Sequence, residues 1–105
     1  MKVIITPRAE AQLATRRAWW RKKRLAAPDL FDEELADAVN GIASAPWSLP
    51  VFSERAGHQI RRRLLPRTRC HLYFEIHESR REVWIVAAGG GQRRRPPPIK
   101  LQDAP

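Results

Sequence analysis

The stretch QIRRRLLPRTRCHLYFEIHESRREVWIVAA, residues 59–88, reads as three consecutive strands: Gln59–Leu65, Arg69–Ile76 and Glu82–Ala88. In the middle one, Cys70, Leu72, Phe74 and Ile76 alternate with His71, Tyr73, Glu75 and His77, the period of two expected of a strand with one apolar and one polar face. In the first, Ile60 and Leu64 share a parity, interrupted by Arg62, while Arg61 and Arg63 are assigned to the opposite, cationic side. The third places Val83, Ile85 and Ala87 on one face and Trp84 and Val86 on the other, as a strand near the middle of a sheet would. The links Pro66–Thr68 and Glu78–Arg81 are short enough for antiparallel hairpins.

Upstream of this stretch, the chain reads as a cover for one face of the sheet. Lys2–Ile5 is a short strand, and Thr6 followed by Pro7 forms a helix start with a hydroxyl cap and a proline where no N–H is needed. A helix is expected from Arg8 to about Leu25, with Ala9, Leu13 and Trp20 as its apolar stripe, Ala14 and Ala18 beside it, and cations crowding its last turns. After Ala26–Pro28 a second helix opens on Asp29, Asp32, Glu33 and Glu34, and Phe31, Leu35, Ala38, Val39 and Ile42 mark its buried stripe. The short link implies an antiparallel helix pair. Ser44–His58, with two prolines and a glycine, reads as a connecting loop in which Trp47, Val51 and Phe52 plug the edge of the core. The expected fold is therefore α+β, a short strand, a helical hairpin and three antiparallel strands in one sheet covered on one face by the helices.

The 105 residues suit one domain. Its 43% hydrophobic and 30% charged residues exclude global disorder, and its single cysteine excludes an internal disulfide framework. No apolar run approaches the roughly 20 residues of a membrane span, and no signal peptide is read at the amino terminus, so a cytoplasmic protein is expected. The net charge of +9 calls for a polyanionic partner.

Several constellations are weak. Cys70 and His71 are strand neighbours on opposite faces and cannot form a nucleophile–base pair. His58, His71, His77 and Cys70 lack zinc-ligand spacing, and Gly89–Gly91 lacks a phosphate-binding fingerprint, so neither metal nor cofactor is expected. What remains is the cationic face, to which Arg61, Arg63 and His71 are assigned, with Arg69 at the hairpin edge and Tyr73 alongside. Metal-free RNA cleavage needs a proton acceptor, a proton donor and cations for the phosphorane charge; His71 suits the first two and arginines the third. The alternative is a surface that only docks anions.

The element order, together with IRRRLLPRTRCHLYFEI and EVWIVAAGGGQRRR, resembles the RelE/ParE superfamily of type II toxin–antitoxin toxins up to about Arg95. That resemblance implies one toxin domain over residues 1–95, a Pro-rich, mobile tail over 96–105, growth arrest as the activity, and a cognate antitoxin whose acidic or amphipathic segment wraps the toxin in an oligomeric complex. RelE-like members cut mRNA on the ribosome; for that activity Arg61, Arg63 and His71 would be the catalytic candidates. ParE-like members poison DNA gyrase. Arg69, Tyr73, Arg93, Arg94 and Arg95 are the candidates for anion or target binding. Two departures, His71 where an arginine is expected on the third strand and a tail without tyrosine, favour the ParE-like reading. A non-toxic basic nucleic-acid-binding module is the alternative from another class.

Overall fold

The computed structural model describes residues 1–90. Strand β1 (Lys2–Ile5) leads into helix α1 (Pro7–Lys23) and helix α2 (Leu30–Ser44), followed by β2 (Val51–Arg55), β3 (His58–Leu65), β4 (Cys70–His77) and β5 (Glu82–Gly90). The five strands form one sheet in the order β1-β5-β4-β3-β2. All neighbours are antiparallel except β1 and β5, which run parallel. The α+β architecture, with both helices packed on one face, is as expected from the sequence.

Local chemistry explains the helices. The Thr6 hydroxyl accepts from Ala9 N at 3.3 Å, Pro7 takes the first helical position, and Arg21, Lys22 and Lys23 occupy the last turn near the negative end of the dipole. Helix α2 starts with Asp32 and Glu33 in its first turn. The link between the helices is fastened by Trp20, whose indole N–H donates to Ala27 O at 2.7 Å, and by Asp32, which receives Arg17 at 2.6 Å and Arg21 at 2.8 Å. Ala9, Leu13, Trp20, Phe31, Leu35, Ala38 and Ile42 pack on Leu65, Cys70, Leu72, Phe74, Val83, Ile85 and Ala88 to form the main core. Ala14 and Ala18 are exposed, so the stripe of α1 is narrower than expected.

Three readings of the strands are corrected. Ser44–His58 is not a plain loop, for it contains β2, and a two-residue turn joins β2 to β3 at Ala56 (φ 48°) and Gly57 (φ 79°). Positive φ at both central positions is the geometry that follows the twist of a hairpin, and glycine adopts it without penalty. Phe52 does pack against buried residues, but Trp47 and Val51 are exposed and do not plug the core. In β5, Tyr73 pairs with Ala87 while the next residue, Phe74, pairs with Ile85. The extra residue, Val86, is a β-bulge that turns both Val86 and Ala87 away from the helices, so Ala87 does not share a face with Val83 and Ile85.

The third correction bears on function. In β3, Arg62 pairs with Tyr73 and Leu64 with His71, whereas Arg61 pairs with Phe74 and Arg63 with Leu72. Directly paired residues share a face, so Arg61 and Arg63 lie on the helix side and Arg62 lies with His71. The assignment of Arg61 and Arg63 to the face of His71 is thus reversed. The physical reason is that Ile60 is not a main-core residue; it joins Tyr73, Val86 and Ala87 in a second apolar cluster on the face away from the helices, and Leu65 supplies the strand's core contact instead.

Candidate functional site

The face away from the helices carries two polar groupings around that second cluster. The first is built on β2, β3 and β4. The Arg62 guanidinium lies 4.2 Å from the centroid of Phe52, Phe52 meets Tyr73 edge-on at 5.4 Å, and the His71 ring stands 6.1 Å from that of Tyr73. Pro50, Val51, Phe52, Arg62, Leu64 and His71 line a shallow depression there. Burial, and then the charges of Arg62 and Arg69, hold the His71 imidazole below its ordinary pKa, favouring the neutral ring. A neutral imidazole beside a guanidinium can accept a proton or dock an anion.

Arg69, the second of those cations, sits exposed in the β3–β4 turn with a left-handed backbone (φ 58°), its N–H donating to Leu65 O at 2.8 Å. The turn is tied to α2 by Glu34, whose carboxylate accepts from Arg67 N, Thr68 N and the Thr68 hydroxyl, each at 2.8 Å. Tyr73 is buried, a packing residue more than a contact surface. Arg61 donates to Leu49 O and lies 5.3 Å from the centroid of exposed Trp47. Arg63 rests against α2, where a Cβ on Gly41 would come within 2.7 Å of its Nη1; glycine leaves the room that the guanidinium occupies. Arg93, Arg94 and Arg95, and with them the reading of the tail, lie outside the described residues.

The second grouping was not singled out from the sequence. Glu75, almost wholly buried, receives His58 Nδ1 at 2.8 Å on one carboxylate oxygen and His77 Nε2 at 3.4 Å on the other. The His77 ring stacks on Trp84 at 4.8 Å. A carboxylate only accepts, so each of these nitrogens carries a proton directed at Glu75. With its side chain 30% exposed, the His58 ring stays open to solutes. His58, Glu75 and Arg61 also line one common depression. The alternation in β4 did put Glu75 and His77 on the polar face; the partner His58 emerges only once β3 is in register.

Cys70 faces the helices, and burial pushes its thiol up to about 11 against a smaller lowering effect of Arg16. It has no contact with the His71 ring, which lies on the opposite face of β4. Among the described residues no group of three acidic, histidine or cysteine side chains is arranged to hold a metal ion, and no helix is long and apolar enough to cross a membrane. No family model, curated protein or solved structure matches the chain.

Proposed function

We propose that this chain is the toxin of a type II toxin–antitoxin module, acting as a ParE-like poison of DNA gyrase and neutralised by an antitoxin. The observation that carries the choice of target is the β3 register. A ribonuclease built on Arg61, Arg63 and His71 needs its cations and its imidazole on one phosphate, and the pairing of Arg62 with Tyr73 leaves Arg61 and Arg63 on the far side of the sheet from His71. The order of strand, helical hairpin and antiparallel β3–β5, which matches the superfamily resemblance apart from the added strand β2, and the charge of +9 support the toxin and antitoxin parts of the reading. The test is a gyrase supercoiling and cleavage assay with antitoxin-free protein, run beside a translating extract with a defined message. Trapped gyrase–DNA cleavage complexes with intact message are expected; intact gyrase function at protein levels that arrest growth overturns the reading.

A second reading has its own observation. His58, held by Glu75 at 2.8 Å and partly exposed, gives the sheet a second imidazole for the proton transfer that ribosome-dependent RNA cleavage requires. It predicts codon-phased cuts that vanish without ribosomes and that are lost in His58→Ala.

A further inference from the structure

The corner where α1 ends and turns towards α2 belongs to neither grouping. Between Glu10 and Asp29 the chain carries no acid, and residues 19–25 read WWRKKRL. Its two tryptophans do different work. Trp20 is buried and its indole N–H donates to Ala27 O, which fixes the turn, whereas Trp19 is 40% exposed. Lys22 and Lys23 follow Trp19 at the spacings that share a helix surface, and the Arg24 guanidinium returns to 5.8 Å from the Trp19 centroid. Leu25, in the turn that follows, is 80% exposed, more than Trp19, Trp47 or Val51. Asp29 and Asp32 are taken up by Arg17 and Arg21, so among the described residues Lys22, Lys23 and Arg24 pair with no carboxylate. These unpaired cations outweigh the partial negative charge, about half a unit, at the end of the helix.

We propose that this corner docks on an anionic lipid surface, with Leu25 and the Trp19 indole entering the headgroup layer and Lys22, Lys23 and Arg24 meeting the lipid phosphates. Leu25 decides for lipid over nucleic acid. A sugar–phosphate surface satisfies cations but offers no apolar layer to a leucine, whereas a bilayer interface takes both, because long basic side chains reach back to the phosphates as apolar neighbours enter. An indole, apolar in body and polar at its N–H, suits the same depth. Among the described residues no helix is long and apolar enough to cross a membrane, so the contact is with one leaflet. The proposal rests on neither the antitoxin nor gyrase.

The test is co-sedimentation of the full chain with vesicles of phosphatidylglycerol and phosphatidylcholine in equal parts, beside phosphatidylcholine vesicles and an oligothymidylate followed by anisotropy. Binding to the mixed vesicles and not to phosphatidylcholine alone is expected, weakening as salt is raised. Lys22→Gln with Lys23→Gln weakens it roughly twentyfold, at about fivefold for each cation, and Leu25→Gln weakens it about tenfold. All three positions are exposed, so these variants fold as the natural chain does. Mixed-vesicle affinity unchanged in Leu25→Gln overturns the proposal, since attraction of a basic protein to any polyanion would survive that change. Oligothymidylate binding abolished by the lysine substitutions with vesicle binding intact overturns it in favour of nucleic acid. Self-association without lipid that is lost in Leu25→Gln, read by sedimentation equilibrium, overturns it in favour of a second copy of this chain. None of these results touches gyrase or growth, so a failure here is separate from a failure of the toxin reading.

Discussion

The two faces of β4 are built from the same eight residues and solve opposite problems. Towards the helices, Cys70, Leu72 and Phe74 meet a close-packed layer from α1 and α2. On the other side, Tyr73 joins Ile60, Val86 and Ala87 in a small apolar cluster with Phe52 and Trp84 against it, and the Glu75 carboxylate is taken up by His77 and by His58 of β3. The first face holds the molecule together through apolar burial; the second holds titratable groups in fixed relation at the edge of a desolvated patch. Substitutions on the first should therefore change stability, and substitutions on the second should mainly change titration and binding.

The largest effect is expected from Phe74→Ala, which empties a fully buried site in the main core and should cost about 3–5 kcal/mol in urea denaturation. The Cys70 thiol gives a pH signature of the same face. With its folded pKa raised to about 11 from 9.0, the folded state holds the proton longer than the unfolded state, so the contribution to stability is present below pH 9 and is lost as pH rises towards 11. Subtracting the profile of Cys70→Ala from that of the natural chain should expose a loss of roughly 2–3 kcal/mol across this window. Glu34→Ala removes the acceptor of three hydrogen bonds and leaves the Thr68 N–H unpaired, so a loss of about 2 kcal/mol is expected, read as a lower urea midpoint. On the other face, Arg62→Ala removes only a partly exposed cation–π contact with Phe52, and about 0.5–1 kcal/mol is expected.

The sequence made the covered face legible and the other only in part. Alternation in β4 and the helical stripes of Phe31, Leu35, Ala38 and Ile42 identify their own burial because each is a clean period against a single core. Strand β2 was hidden by its length of five residues and by a turn written Ala56–Gly57 in place of the usual Asn-Gly or Asp-Gly. The parity of β3 misled because Ile60 is buried in the second cluster, so its burial does not report the helix side. The bulge at Val86 could not be seen at all, since a register shift is a property of two strands and leaves no mark on one. The pairing of His58 with Glu75 is hidden for the same reason, being set by the β3–β4 register.

That register underlies the choice between gyrase and ribosome, and the titration of His71 reads it directly. Folded-state depression of this histidine means its protonation opposes folding, a contribution to stability present above the ordinary histidine pKa and lost as pH falls below it. The measurement is the His71 ring titration by NMR in the natural chain, in Arg62→Gln, and in the double variant Arg61→Gln with Arg63→Gln. The account predicts a pKa below 6.5 that rises in Arg62→Gln and stays put in the double variant. A pKa that rises in the double variant and not in Arg62→Gln would return Arg61 and Arg63 to the face of His71 and restore the ribonuclease set.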